Sequence, residues 1–290
     1  MITHIMAPLD GSELAERALP CAAQLVRLTG ATLYLVRVAG PVFATADAVP
    51  PPATATDFLA VEMRAAEADL ARIRDRLSAT GLAVHAERVT GTIAGALLDY
   101  ERARDIDLVV MCSHGRTGLA RFALGSVAER LLRYGEAPLL LARAFGPPAT
   151  LGRVVVPLDG SSRAEGALRL LDDLSTADAD PAIPTIGREV TLLRVVGTPE
   201  EGIEAEHYLA DIVRQRRNGH VTYASRVEHG DPAQVIIDTA GTDTLVVMAT
   251  RGRSSAMRWA LGSVADRVAH GGAAAVLLVR VGAAGGTPRT

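Results

Sequence analysis

Two stretches of this chain carry the same arrangement of glycine, serine and arginine. Leu108–Arg130 reads LVVMCSHGRTGLARFALGSVAER and Leu245–Arg267 reads LVVMATRGRSSAMRWALGSVADR. Each opens on LVVM, an apolar run of the length and composition of a strand buried on both faces. A glycine turn follows, Gly115-Arg116 in one copy and Gly252-Arg253 in the other. Ten residues after each turn glycine comes a Gly-Ser step, Gly125-Ser126 and Gly262-Ser263, at the start of a helical pattern. The chemistry of such a stretch is anion binding. Glycines let a backbone approach a phosphate, and the free N–H groups of a helix N-terminus favour negative charge. Arg116 and Arg253 follow the turn glycines, where they either reach phosphate or sit solvated in the loop. The serines have a second explanation: Ser126 precedes Glu129 by three residues and Ser263 precedes Asp266 by three, the spacing of a capping box. A serine can cap and face a phosphate at once.

A second signature is also doubled. Pro8-Leu9-Asp10-Gly11-Ser12 follows an apolar strand, and Pro157-Leu158-Asp159-Gly160-Ser161 follows another. Asp-Gly-Ser makes a turn and a helix N-cap. Asp10 and Asp159 also stand at the carboxyl end of a strand, where open parallel sheets bind ligands. Ser12 and Ser161 can take the capping role and leave the aspartates for function.

The elements that position these residues alternate along the chain. Thr3–Leu9 reads as a strand, Glu13–Leu28 as an alanine-rich helix closed by Gly30, and Ala31–Val38 as a second strand. A proline-bearing loop over 40–56 lies where it could act as a lid. Asp57–Ser78 reads as a long helix, for which the second half offers only Pro199–Arg217. Third strands (Leu82–Val89, Val221–Val227) and third helices (Gly91–Glu101, Asp231–Ala240) precede the LVVM runs. Asp231 is expected to cap the second of these helices, with Pro232 at its first position. The last helices end near Gly135 and Gly271, and final strands follow at Pro138–Arg143 and Ala275–Arg280. Residues 144–152 read as a linker, and the tail from Gly282 as disordered.

Each half thus reads β-α-β-α-β-α-β-α-β, an α/β class with a five-stranded parallel sheet and helices on both faces. Two tandem flavodoxin-like or Rossmann-like domains are expected, 1–145 and 151–281, each with strand order 3-2-1-4-5. In that order the switch point falls between strands one and four, so Asp10 and the Cys112–Gly115 turn meet there. The final strands, LLLAR at 139–143 and VLLVR at 276–280, are strongly apolar edges. Such edges invite pairing, so they are expected to face each other across a pseudo-twofold axis as an internal dimer; two chains could then associate as a homodimer.

Composition removes several classes. All 30 basic residues are arginine, which excludes a Walker lysine, a Schiff-base lysine and a kinase strand lysine. A net charge of −3 and 3% aromatic residues speak against nucleic-acid binding. Two cysteines without CxxC spacing form no disulfide framework or zinc module, and the seven histidines include no HExxH. No run reaches the ~20 apolar residues of a membrane span and no signal peptide is seen, so a cytoplasmic protein is expected.

Gly-x9-Gly-Ser after a buried strand, twice, together with the doubled Asp-Gly-Ser, resembles the universal stress protein family, whose full pattern is Gly-x2-Gly-x9-Gly-Ser/Thr. The resemblance covers nearly the whole chain and implies a tandem member of ATP-binding type. It implies ATP as ligand, alone or with Mg²⁺, and a regulatory role in the stress response. It places Asp10 and Asp159 against the adenosine part of the nucleotide or its metal. It gives Val38 and Val195 main-chain contacts to the adenine edge, and it aims Gly115, Gly125, Ser126, Gly252, Gly262 and Ser263 at the phosphates. The departure is at the first glycine of the pattern, where Cys112 and Ala249 stand and each adds a Cβ close to ribose or phosphate. Because the repeat has alanine there, Cys112 is expected to be a small-residue substitution and not a catalytic thiol. Three other readings stay open. A slow ATPase lacks an evident base, since His114 becomes Arg251 in the repeat. A flavin carrier would be short of aromatics. An interaction module would have lost its ligand.

Overall fold

The computed structural model describes residues 1–39, 52–112, 124–143, 151–174, 189–216, 221–251 and 261–281, of which 52–60, 62 and 251 are described in the backbone alone. The first half contains β1 (His4–Pro8), α1 (Glu13–Glu16), α2 (Leu19–Thr29), β2 (Thr32–Val38), α3 (Pro52–Ser78), β3 (Val84–Val89), α4 (Ile93–Ala103), β4 (Leu108–Cys112), α5 (Ser126–Tyr134) and β5 (Leu139–Ala142). The second contains β6 (Arg153–Pro157), α6 (Ser162–Leu174), β7 (Glu189–Val196), α7 (Pro199–Gln215), β8 (Thr222–His229), α8 (Pro232–Thr239), β9 (Thr244–Arg251), α9 (Ser263–Gly271) and β10 (Ala275–Val281).

All ten strands belong to one sheet, in the order β3-β2-β1-β4-β5-β10-β9-β6-β7-β8. Within each half the order is 3-2-1-4-5 and every pairing is parallel. The halves join where β5 and β10 run antiparallel, Leu139 opposite Leu278, Leu140 opposite Leu277 and Leu141 opposite Val276. The two apolar edges expected to face each other are therefore the middle of the sheet. Leu140, Leu141, Leu277 and Leu278 are all 0% exposed, and each such burial contributes roughly 1.5–3 kcal/mol.

Because strand side chains alternate between faces, the joined sheet has two cores, and each draws on both halves. One holds Leu25, Leu33 and Leu140 with Leu171, Leu192 and Leu277. The other holds Leu97, Leu139 and Leu141 with Leu193, Val246 and Leu278. At the seam, Arg143 reaches from the end of β5 to the last turn of α9. Its Nη1 donates to the Ala269 carbonyl at 2.7 Å and its Nη2 to Val268 at 3.1 Å. Arg280 at the end of β10 donates through Nη2 to Leu131 (2.5 Å) and to Leu132 in the last turn of α5. Each arginine thus satisfies orphan carbonyls of the other half's last helix, and its charge opposes the helix dipole. Burial lowers the Arg143 pKa to about 10.

Three expectations change in detail. The helix expected over Glu13–Leu28 is two helices, α1 and α2. Pro20, near the start of α2, offers no N–H to the Glu16 carbonyl, and its ring would crowd that carbonyl in a continuous helix. In the second half, which has no proline there, α6 runs unbroken. The loop expected over 40–56 gives way to α3 from Pro52, and residues 40–51 lie outside the described residues. The linker ends in an anchored residue: Leu151 is fully buried, and its N–H donates to Gln24 Oε1 at 3.2 Å. The rest of the linker, 144–150, and the tail beyond 281 lie outside the described residues. Gly30 closes α2 in the left-handed conformation (φ 68°), and Asp231 caps α8 with Pro232 following, both as expected.

Candidate functional site

The Asp-Gly-Ser turns are built alike in both halves. Asp10 Oδ1 accepts from the Ser12 N–H (2.9 Å) and hydroxyl (2.6 Å), and Ser12 Oγ accepts from the Ala15 N–H at 3.1 Å to cap α1. Asp159 Oδ1 accepts from the Ser161 N–H (3.0 Å) and hydroxyl (2.6 Å), and Ser161 Oγ accepts from Ala164 at 3.2 Å. The serine caps the helix and the aspartate holds the serine. Burial works against the Asp159 carboxylate. The hydrogen bonds from Ser161, that from its own N–H and the Arg194 charge outweigh it and hold the pKa below the usual carboxylate value.

Gly11 and Gly160 between them have φ of 82° and 83°, which disfavours any side chain. A Cβ at Gly11 would also stand 2.7 Å from the Arg37 guanidinium, and one at Gly160 2.3 Å from that of Arg194. These two strand arginines, absent from the sequence reading, pack under the turns. The alternation of β2 and β7 was a signal for them, because both interrupt an apolar run one residue before Val38 and Val195.

The Gly-Ser steps differ from the capping-box reading. Gly125 is the N-cap of α5 and Gly262 that of α9, and neither helix has a side-chain cap. The first intrahelical bonds run from the Glu129 N–H to the Gly125 carbonyl (3.0 Å) and from the Asp266 N–H to Gly262 (2.9 Å). Ser126 and Ser263 are therefore the first helical residues, one place too late for the serine of a capping box. Among the described residues, no side chain caps the first N–H groups of either helix, and neither serine hydroxyl has a partner.

The strand register makes Val38 and Val195 equivalent, since Pro8 pairs with Val36 and Pro157 with Leu193, two residues earlier. In the second half a cavity of about 360 Å³ opens at the carboxyl ends of the strands, and Asp159, Val195, Ala249, Gly262 and Ser263 all line it. Five residues spread over more than a hundred positions thus meet at the switch point between β6 and β9. Arg163 lines it too, with no partner for its guanidinium among the described residues; the sequence reading missed it, and Leu14 is its counterpart. In the first half Asp10, Val38, Cys112, Gly125 and Ser126 occupy the equivalent strand ends and helix entry. Cys112 is buried at 5% exposure in the core that also holds Cys21, whose thiol burial pushes up to about 12. Gly115, Arg116, Gly252 and Arg253 lie outside the described residues, as does His114.

Beside the Arg143 contacts, a further contact crosses between the halves at this level. The Leu124 N–H, just before Gly125, donates to His270 Nε2 in α9 at 2.7 Å. His270 Nδ1 lies 2.5 Å from the Asp266 carbonyl, which assigns its proton to Nδ1. The counterpart of His270 is Arg133, which has no acceptor to offer Leu261.

Among the described residues no group of three or more His, Cys, Asp or Glu is placed to hold a metal ion, and no helix is long and apolar enough to cross a membrane. Helix N–H groups and serine hydroxyls without side-chain partners among the described residues, beside a mixed polar and apolar cavity, fit the phosphates and base of a nucleotide.

Comparison with known proteins agrees with this layout. The profile of the universal stress protein family matches residues 1–143 and again 150–280. A universal stress protein of Mycolicibacterium smegmatis is 30% identical over 285 residues, covering 95% of this chain and 96% of its own. One from Mycobacterium tuberculosis is 27% identical over 286 residues, covering 95% of this chain and 96% of its own. Among solved structures, a universal stress protein from Archaeoglobus fulgidus superposes with a TM-score of 0.72 at 16% identity, covering 96% of this chain and 98% of that one, a likeness of fold. With the family's domain matched twice and one relative aligned from end to end, the chain belongs to the universal stress protein family as a tandem member.

Proposed function

We propose that each half, 1–145 and 151–281, binds one adenine nucleotide, ATP, and that the bound state acts as a regulatory signal in a cytoplasmic stress response. The observation that carries this reading is the second-half cavity, where Asp159, Val195, Ala249, Gly262 and Ser263 converge. In it the phosphates lie against the N–H groups and hydroxyl at the start of α9, and the base lies against the backbone at the end of β7. Asp159, held ionised by its own turn, faces the ribose side or a Mg²⁺ that travels with the phosphates. Arg163 adds a positive group from α6. Gly125, Ser126, Asp10 and Val38 repeat the arrangement in the first half.

The test is calorimetry with ATP on the full chain. Two sites are expected in wild type and one in Gly125→Asp, since a carboxylate at that helix entry would occupy phosphate space and repel it. Wild-type protein without saturable ATP binding, or Gly125→Asp with both sites intact, would sink the assignment. Phosphate release measured with and without Mg²⁺ separates a binding protein from a slow ATPase.

A further inference from the structure

At the opposite, amino-terminal ends of the strands the two halves part company. In the first half the ring of Tyr34 stacks on His85 (5.4 Å between centroids, 19°), with His4 edge-on at 5.5 Å and Tyr100 at 6.3 Å. Across the strands Met6 pairs with Tyr34 and Tyr34 with His85, while Val155 pairs with Thr191 and Thr191 with Ala224. The same register sets Arg153 in place of His4 and Arg226 in place of Glu87. Thr244 replaces Asp107, and Thr239 on α8 replaces Tyr100 on α4. Four rings and two carboxylates thus become two guanidinium groups, three threonines and an alanine. The space the rings filled is a cavity of about 230 Å³ lined by these second-half residues.

We propose that this cavity is an anion site, taking a small organic carboxylate or phosphate. Its size falls below the roughly 300–1,000 Å³ of pockets for drug-sized ligands, so the ligand is small. Two guanidinium groups, Arg153 and Arg226, stand where the first half has His4 and Glu87, and Glu228, paired with Arg226, is the carboxylate beside them. Arg153 has no side-chain partner among the described residues. Arg226 uses only Nε, toward Glu228 at 2.5 Å, which leaves both terminal amines. Thr191, beside them on the same face of the sheet, supplies a hydroxyl. A guanidinium pair with a hydroxyl is the donor set that carboxylate and phosphate oxygens accept. Arg153 stands at the start of β6 and Pro157 at its end, four residues or about 13 Å away. Arg226 lies level with Pro157 across β7, but no residue lines both this cavity and the one at the carboxyl ends, so the site is a separate one and does not depend on the ATP reading.

The experiment titrates the full chain with inorganic phosphate and, separately, with succinate, by calorimetry. One saturable site per chain is expected for at least one probe, and the probe that saturates names the oxyanion class. Arg153→Ala, at an exposed strand start where the fold does not need it, should weaken that binding by about tenfold or more. Thr191→Tyr, which installs the first-half ring, should abolish it. Failure of both probes to saturate would overturn the proposal. So would a curve unchanged in Arg153→Ala, since the anion would then sit elsewhere, at the Gly-Ser helix entries for instance.

Discussion

In the first half, Arg37 at the end of β2 pairs with Asp69 on α3 at 3.1 Å; in the second, Arg194 at the end of β7 lies over the Tyr208 ring, 5.6 Å from its centroid. Buried Ala66, Leu70 and Ile73 align with Ala205, Leu209 and Ile212, so Asp69 and Tyr208 hold the same place. The exchange propagates. Glu16 in the first half accepts from Arg72 and Arg76, both at 2.8 Å, while its counterpart Glu165 accepts from the Tyr208 hydroxyl at 2.9 Å. Beneath one Asp-Gly-Ser turn lies an ion-pair network, and beneath the other an arginine stacked on a tyrosine. Arg194 Nε and Nη1 have no hydrogen-bond partner among the described residues, which a cation–π contact partly offsets. Two halves of one fold can thus hold the same turn by different means. What they cannot vary is the glycine under which the arginine lies.

The sharpest way to break this comparison is at the seam the halves share. Leu140→Ala should cost about 2–5 kcal/mol, from lost burial and a cavity the flanking strands cannot close. Because both cores span both halves, thermal unfolding should remain a single transition displaced downward. Two resolved transitions would show that the halves are stable apart.

Next come the helix entries. Gly262 has φ 83° and Gly125 φ −59°. An aspartate is therefore strained at 262 and unstrained at 125. Gly262→Asp should lose about 1–2 kcal/mol more stability than Gly125→Asp while each removes one ATP site. Equal denaturation midpoints would contradict the difference in backbone.

The two proposed sites also differ in charge among the described residues, Arg163 against Leu14. Arg163→Leu should weaken ATP at the second site about three- to tenfold and leave the first unchanged. A variant that binds at both sites as wild type does would remove Arg163 from the site. His270→Arg deletes the acceptor for the Leu124 N–H and His270→Gln keeps one. The first site should weaken about threefold or more in the arginine variant and recover in the glutamine variant. Amide exchange at residues 124–128 reads the same contact without nucleotide.

The smallest effect concerns acid. Burial works against the Glu16 carboxylate, but hydrogen bonds and charge from Arg72 and Arg76 outweigh it and lower its pKa from 4.5. A folded pKa below the unfolded one means stability that is present above pH 4.5 and lost as pH falls through the folded value. Both arginines are half exposed, so the contribution is small, about 0.5 kcal/mol. Glu16→Gln should flatten the stability curve slightly below pH 4.5, and an unchanged curve would show that the network contributes nothing there.

The amino-acid sequence by itself determined what depends on near neighbours. The order of strands and helices follows from runs of apolar residues, and Gly30 and Asp231 end and begin helices through bonds within a few positions. Ser12 and Ser161 cap their helices through turns three residues long, which local chemistry dictates. Parallel order and the apolar final strands also led to the internal pairing, because an edge that apolar must be covered. The tertiary structure decided what depends on register between distant segments. Whether Gly125 or Ser126 is the N-cap turns on where the chain enters α5, and a one-residue shift there frees a hydroxyl. That Arg143 and Arg280 cap each other's helices follows from the antiparallel sense of β5 and β10. His270 meets Leu124 across 146 residues. Thr191 leaves a cavity where Tyr34 fills one because pairing brings Ala224, not a second ring, alongside it. Spacing along the chain carries no record of such pairings, since each is fixed only when strands from both halves lie side by side.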